Sequence, residues 1–181
     1  MPMRVIAGEL RHRHLSYPED DPKIRPTKDR IREAFFSSIG DITDKIFLDL
    51  CAGCGAMGIE AISRGADFAY FVDNNQKSLN YIKENIKNLR ITNGAIIFKD
   101  ALEALEYFRD NNIKFDVIYF DPPYEYSKYE EVLYNIYQYD LLNKNAIVAY
   151  ESNREITTNP LWYSKKKEYH YGEISVTVLR K

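Results

Sequence analysis

The segment IFLDLCAGCGAMG, residues 46–58, decides the fold of this 181-residue chain. Four of its first five residues are apolar and predict a buried strand. The glycines at 53, 55 and 58 predict a tight turn, and residues 57–64 predict a short helix after it. A strand that leads through a glycine-rich turn into a helix is the first half of a βαβ unit. The same order recurs further along the chain.

The later residues continue this alternation of strands and helices. The apolar pattern predicts strands at 68–72, 95–99, 115–120 and 146–150, with helices at 75–89 and 101–109 and a third opened by a capping box at Ser127 and Glu130. Two extended pieces, 162–170 and 173–179, flank Gly172, and a hairpin around Gly8 and a helix at 29–39 precede the repeat. The fold class is therefore α/β, with a doubly wound sheet whose ligands lie beyond the carboxyl ends of the strands.

Composition bounds the possible classes of protein. The chain is 45% hydrophobic and 29% charged, as globular proteins are, and it has no apolar run long enough for a membrane span. Its N-terminus lacks the apolar core of a secretory signal, so we expect a cytoplasmic protein. The net charge is −2, yet residues 1–32 carry eight Lys or Arg against five acids, a local excess of +3. A basic arm on an acidic body suits a polyanionic partner, although a merely solvated basic surface has the same composition.

The acidic residues that follow the first strands indicate the ligand. Residues 53–58 fit G-x-G-x-x-G, which shows only that a ligand approaches the backbone closely. Asp49 ends the strand where a dinucleotide would place its pyrophosphate, and the two negative charges would repel. S-adenosylmethionine instead offers a sulfonium and an ammonium to that position. Asp73 lies at the spacing of a ribose-binding acid, and Asp100 could accept a hydrogen bond from the adenine amine.

Several residues around this site have competing interpretations. Asp73 could simply begin the turn before the helix at 75–89. Asp100 with Glu103 also fits an N-cap pair for the following helix. Cys51 and Cys54 have the C-x-x-C spacing of redox or zinc sites, but the sequence offers no second Cys or His pair and both cysteines lie inside the glycine turn. We therefore predict no metal.

The sequence DPPY, residues 121–124, follows the fourth strand and is the most specific signal in the chain. The prolines hold the Asp121 carboxylate and the Pro122 carbonyl as rigid acceptors, which match the two hydrogens of a primary amine on a planar ring. Tyr124 would stack on that ring. This arrangement predicts direct transfer of a methyl group to a nucleobase amine, whereas a polar turn before a helix would be the structural alternative.

These motifs resemble those of a known group of enzymes. Residues 49–58 and 121–124 resemble the class I S-adenosylmethionine-dependent amino-methyltransferases. RVIAG at 4–8 and RPTKDRIRE at 25–33 are similar to the bacterial family that methylates the N2 amine of a guanine in 16S ribosomal RNA. The chain departs from that pattern at Cys51, Cys54, His12 and Asp73, where Phe, Ser, Gly and Glu are usual.

The resemblance implies a Rossmann-like fold with a seven-stranded, mostly parallel sheet, and a division into an RNA-contacting extension, residues 1–28, and a methyltransferase domain, residues 29–181. It implies a monomer that acts on 16S rRNA, in some cases within an assembling small subunit, and that has no membrane partner. The implied catalytic residues are Asp121, Pro122, Pro123 and Tyr124. The implied cofactor-binding residues are Asp49, Cys51, Ala52, Gly53, Gly55, Gly58, Asp73, Asn74, Asp100 and Ala101. The implied RNA-binding residues are Arg4, Arg11, Arg13, Arg25, Lys28, Arg30 and Arg32.

Three other functions are alternatives to methylation of ribosomal RNA. DNA adenine-N6 methylation uses the same local chemistry, although 181 residues leave little room for a target-recognition domain. A non-enzymatic nucleotide-binding module would not need the intact Asp49 and Asp121. A dinucleotide oxidoreductase conflicts with Asp49 and would lack a hydride-transfer site.

Overall fold

The computed structural model describes residues 3–20, 27 and 29–181. Within these residues a seven-stranded sheet is flanked by five α-helices. In chain order the elements are α1 (Asp29–Ile39), β1 (Ile46–Leu50), α2 (Ala56–Ser63), β2 (Phe68–Asp73), α3 (Gln76–Leu89), β3 (Gly94–Phe98), α4 (Ala101–Asp110), β4 (Phe115–Phe120), α5 (Tyr129–Gln138), β5 (Leu142–Ser152), a 3₁₀ turn (Pro160–Trp162), β6 (Lys165–Tyr171) and β7 (Ile174–Arg180).

The strand order is β3-β2-β1-β4-β5-β7-β6. The first five strands in this order are parallel, while β7 runs antiparallel to both β5 and β6. The chain moves outward from β1 to β3 and then returns to place β4 on the other side of β1. A doubly wound sheet opens a ligand crevice at this reversal. The predicted fold, a mostly parallel seven-stranded Rossmann-like sheet, is confirmed.

Side chains alternate between two apolar layers, because successive residues of a strand point to opposite faces. Phe47, Tyr119 and Ala149 pack on the face covered by α1, α2 and α3. Leu48 and Phe120 pack on the other face, with α4 and α5. This alternation places Asp49 on the first face.

The N-terminal segment forms the predicted hairpin and packs on the first of these faces. The Val5 amide donates to the Arg13 carbonyl, and the Leu15 amide donates to the Met3 carbonyl. Both Glu60 carboxylate oxygens, on α2, accept backbone amides of the hairpin at 2.9 and 3.0 Å. Met3, Val5 and Leu15 are buried in the same cluster as α1, so the hairpin is anchored by both apolar and polar contacts.

Gly8 allows this hairpin to approach α2. Its φ is +82°, and a Cβ at this position would lie 1.8 Å from the Ser63 carbonyl oxygen. We expect Gly8→Ala to lower the free energy of unfolding by about 3 kcal/mol or more, because the backbone must move away from α2. Gly40→Ala is the matched control, since Gly40 has the same φ with nothing within 4 Å, and should cost only about 1 kcal/mol. Urea unfolding of both variants measures the difference, and equal losses would contradict the close approach.

Several predicted element boundaries were wrong. The capping box at Ser127 does not form, and α5 begins at Tyr129 after Lys128, which makes no side-chain cap. Tyr129 sets this boundary, because its ring is buried and its hydroxyl donates to the Glu151 carbonyl at 2.7 Å. Strand β5 runs from Leu142 to Ser152 and so extends beyond the predicted 146–150 at both ends, and Trp162 lies in the 3₁₀ turn rather than in β6.

Candidate active site

A cleft of about 600 Å³ opens at the carboxyl ends of β1, β2, β4 and β5, which is an ordinary size for a small-molecule site. It brings together most of the residues predicted for the cofactor and for catalysis. Its lining includes Asp49, Cys51, Ala52, Gly53, Asp73, Asn74, Asp100, Ala101, Asp121, Pro122, Pro123 and Tyr124. Gly55 and Gly58 are absent from the lining and lie at the start of α2 behind it.

Asp49 is a buried carboxylate at the base of the cleft. Its residue is only 2% exposed, and its Oδ2 accepts the Gly58 amide at 2.9 Å. A Cβ on Gly58 would lie 2.4 Å from the Phe71 ring, so glycine is required for α2 to pack this closely on β2. Burial raises the pKa of Asp49 to about 8, with a further contribution from Asp73. A cationic ligand would favour the ionised form.

Asp73 ties the glycine turn to the end of β2. Its Oδ2 accepts the Gly53 amide and its Oδ1 accepts the Asn75 amide, both at 2.9 Å. Burial raises the pKa of this carboxyl as well. Cys51, Gly53 and Gly55 all have positive φ, which folds the turn tightly around this carboxylate. Each Asp73 oxygen still has acceptor capacity for a ribose hydroxyl.

Asp100 is an N-cap, as its competing interpretation held. Its carboxylate accepts the Glu103 amide at 2.9 Å, and Glu103 reaches back to the Asp100 amide, which completes a capping box at the start of α4. The residue nevertheless lines the cleft. Capping uses only part of the acceptor capacity of the carboxylate, so this role does not exclude contact with a ligand.

Both cysteines have raised thiol pKa values. Cys54 is buried, with its Sγ 3.6 Å from Met3 Sδ, and burial raises its pKa to about 11. Burial, followed by the charge of Asp73, raises the pKa of Cys51 well above its usual value. The thiols therefore stay protonated at neutral pH, which disfavours nucleophilic chemistry. Across residues 3–20, 27 and 29–181 no group of three or more potential metal ligands comes together.

The loop after β4 is held at both ends. The Asp121 amide donates to the Leu50 carbonyl at 3.2 Å, and the Tyr126 amide donates to the Pro123 carbonyl at 2.9 Å. The Asp121 carboxylate accepts a hydrogen bond from the Thr27 side chain. Burial raises the pKa of Asp121 well above its usual value, and the nearby carboxylates of Glu151 and Asp49 raise it further. The loop therefore presents Asp121 in a fixed position.

Among the cleft residues that the sequence analysis missed, two lie beside Asp121, namely Thr27 and Glu151. Thr27 lies within the RPTKDRIRE run, whose particular sequence drew attention but whose threonine was given no role. Glu151 lies on β5, one residue beyond the predicted end of that strand, and is 3% exposed. Glu151 could have been found from the pattern that identified Asp49, namely a carboxylate in an otherwise apolar strand.

The predicted RNA-binding residues are dispersed. Arg4, Arg11 and Arg13 are exposed on the hairpin, and Arg30 is exposed on α1 with its guanidinium 5.4 Å from the Tyr171 ring centre. Arg25 and Lys28 lie outside the described residues.

The assignment of Arg32 to phosphate binding was wrong. Its side chain is fully buried, and its Nη2 donates to the Arg4 carbonyl at 2.7 Å and to Asp29 at 2.8 Å. A group without solvent access cannot reach a nucleic-acid backbone on the surface. Arg32 instead links α1 to the hairpin.

Comparison with known proteins decides the family. The model of the family "Conserved hypothetical protein 95" matches residues 3–180. The chain belongs to this family. Its relatives include YlbH of Bacillus subtilis (strain 168), a candidate rRNA methyltransferase that is 35% identical over 99% of both chains. Ribosomal RNA small subunit methyltransferase D of Escherichia coli (strain K12) is 30% identical over 96% of this chain and 87% of its own.

A solved structure of a similar protein has the same fold as this chain. The structure of the Escherichia coli candidate methyltransferase yhhF covers 100% of this chain and 98% of its own, with a TM-score of 0.87 and 27% identity. The structural agreement thus spans both the hairpin and the sheet. No described helix is both long and apolar enough to cross a membrane.

Proposed function

We propose that the protein transfers a methyl group from S-adenosylmethionine to the exocyclic N2 amine of a guanine in 16S ribosomal RNA. One observation carries the proposal: a single cleft holds the acidic glycine turn and the rigid Asp121–Tyr124 loop side by side. The first suits a cationic methyl donor and the second suits a planar amine. Relatives across nearly the whole chain are named as methyltransferases of ribosomal RNA, which favours RNA as the acceptor.

The charges of the cleft fit the donor. No ion pair in the described part of the chain joins a Lys or Arg to Asp49, Asp73, Asp121 or Glu151. Buried carboxylates without cations favour a ligand that carries positive charge. Asp49 would hold the donor's ammonium, Asp73 its ribose hydroxyls, and Asp100 with Ala101 its adenine, while Cys51, Ala52, Gly53 and Asn74 would line the path between them.

The loop after β4 would prepare the acceptor amine. When bound, the donor supplies an electrophilic methyl group on a sulfonium. An exocyclic amine is a weak nucleophile because its lone pair is conjugated with the base. Hydrogen bonds from its two N–H groups to the Asp121 carboxylate and the Pro122 carbonyl would draw the nitrogen toward tetrahedral geometry and free that lone pair. Tyr124 would stack on the base, and Pro123 would keep the loop rigid, so positioning and electrostatics supply most of the acceleration.

The proton balance requires no covalent enzyme intermediate. Attack of the amine forms the nitrogen–carbon bond as the sulfur–carbon bond breaks, and the methylated nitrogen then loses a proton. The Asp121 carboxylate lies where it could accept that proton, consistent with its raised pKa. A paired guanine amine is inaccessible, so the target must be unpaired or flipped out of its helix.

The exposed arginines of the hairpin would bind RNA phosphates. We assign this role to residues 1–28 and to Arg30, with catalysis by residues 29–181 as a monomer in the cytoplasm, on RNA within or outside an assembling subunit. The double variant Arg11→Gln/Arg13→Gln should weaken RNA binding about tenfold and reduce the slope of log affinity against log salt by about 1 to 2. Lys114→Gln/Lys144→Gln removes two exposed charges outside the hairpin, one just before β4 and one on β5, and should leave both unchanged. Filter binding at several salt concentrations tests this, and equal effects would contradict a specific hairpin surface.

Transfer of a labelled methyl group tests the proposed function. Purified protein and labelled donor are incubated with 16S RNA and with small subunits, both from a strain that lacks the enzyme, and the modified nucleotide is mapped and analysed. We expect N2-methylguanosine at one position. Label on adenine N6 of duplex DNA would support the DNA alternative, and no transfer to any substrate would support the non-enzymatic module.

A further inference from the structure

The cleft contains a further carboxylate, that of Glu151, beside the loop that would bind the target amine. In the β4–β5 pairing, Tyr119 lies opposite Ala149 and Phe120 lies opposite Tyr150. Asp121 follows β4 directly, and Glu151 is the next residue of β5. Because each residue comes directly after the last paired position, the two lie side by side at the same edge of the sheet, and their carboxylates are close enough in the cleft for the charge of Glu151 to raise the pKa of Asp121. Both residues line it.

Two buried tyrosines fix Glu151. The Tyr119 hydroxyl donates to its Oε1, and the Tyr129 hydroxyl donates to its backbone carbonyl. Tyr119 and Tyr129 are each fully buried, so neither donor can follow a moving partner. A tyrosine hydroxyl that donates to Oε1 favours Glu151 as an acceptor rather than as a donor.

The Watson–Crick edge of guanine matches two adjacent acceptors. It presents the N2 amine next to N1–H, which is a second donor. Adenine presents its N6 amine next to N1, which is an acceptor. A carboxylate beside the amine site therefore gains a hydrogen bond from guanine and faces a lone pair on adenine.

We propose that Glu151 accepts the N1–H of the target guanine while Asp121 and Pro122 hold its N2 amine, and that this contact selects guanine over bases whose N1 is an acceptor. The inference rests on the proposed function and assigns the recognition of the base to a residue outside the Asp121–Tyr124 loop. It also accounts for a buried carboxylate on β5 that the methyl transfer itself does not require.

The test compares two bases that carry the same amine. 2-Aminopurine has the 2-amino group of guanine, but its N1 is an acceptor. Ligated 16S RNA with guanine or 2-aminopurine at the mapped position is assembled into small subunits, and single-turnover methylation rates are measured. The wild-type protein should prefer guanine by about 100-fold. Glu151→Gln should lower the guanine rate and leave the 2-aminopurine rate within about threefold, so that the preference falls at least tenfold.

Two further measurements distinguish a loss of base recognition from damage to the cleft. Glu151→Gln should bind the methyl donor within about threefold of wild type, which shows that the cleft is intact. Tyr119→Phe, which removes only the orienting hydroxyl, should lower the preference in the same direction by a smaller factor. Equal loss of rate on both bases, or an unchanged preference, overturns the role of Glu151. Failure of the wild-type protein to methylate guanine N2 overturns the proposed function instead.

Discussion

Replacing Asp121 with alanine is expected to lower the rate of methyl transfer about 1000-fold while donor affinity changes less than about threefold. The carboxylate lines the cleft next to the prolines that fix the second amine acceptor. Its removal would leave the amine conjugated with its ring and without its orienting partner. Loss of a single preorganised hydrogen-bonding group at a reacting atom costs 10²–10³ in rate in well-studied cases, and loss of orientation adds to this.

A matched variant separates charge from shape at this position. Asp121→Asn keeps a carbonyl oxygen that can accept one amine hydrogen and the Thr27 hydrogen bond, so it should retain about tenfold more activity than the alanine variant. Single-turnover rates give the chemical step, and calorimetry gives the donor affinity. If Asp121→Ala weakened donor binding as much as it slowed transfer, the loop would belong to the donor site and the proposed mechanism would fail.

The sequence was sufficient for the fold and for most of the cleft because those features follow from local patterns. The apolar strands, the glycine turn and the Asn75 cap of α3 are encoded within a few residues. Asp49 was identifiable because a carboxylate in an apolar strand requires a partner.

The errors occurred where long-range contacts override a local pattern. Ser127 fits a capping box, yet α5 starts at Tyr129, whose hydroxyl donates to the Glu151 carbonyl on β5. Arg32 belongs to a basic run, yet its position on α1 faces the hairpin rather than solvent. Glu151 lay one residue beyond a predicted strand whose true length is set by its pairing with β7 through Ser152. None of these partners is near in sequence.

The arrangement of the carboxylates would allow the proposed donor and acceptor to bind in contact with each other. Leu50, the last residue of β1, lies opposite Val72 on one neighbouring strand and Phe120 on the other, so Asp73 and Asp121 each come one residue after these pairs, while Asp49 lies one residue before Leu50. Asp73 and Asp49 accept backbone amides from the glycine turn and the start of α2, whereas Asp121 begins the loop after β4 and Glu151 lies beside it on β5. A donor and an acceptor bound to the two halves would meet above the end of β1.

Asp49→Asn should stabilise the protein while it weakens donor binding, because the deepest carboxylate is costly to bury. Its pKa rises from 3.8 to about 8 on folding, mainly through burial. The folded state therefore binds a proton that the unfolded state loses, and stability falls as the pH rises from about 4 to 8. Asparagine does not titrate, and its carbonyl can still accept the Gly58 amide. Urea unfolding at pH 8 should show a gain of about 3 to 5 kcal/mol for the variant, which shrinks to about 1 to 2 kcal/mol at pH 5.

The affinity of Asp49→Asn for the methyl donor should fall, although its stability rises. Loss of the carboxylate leaves the donor's ammonium without its partner, and we expect an affinity about 100-fold lower at pH 8. In the wild-type protein the affinity should increase as Asp49 ionises between pH 6 and 8. The variant should retain only the pH dependence of the donor itself, so the difference between the two calorimetric profiles isolates Asp49. If the variant were less stable at pH 8 yet bound the donor normally, Asp49 would serve only to hold the Gly58 amide, and the cleft would need another explanation for its charge.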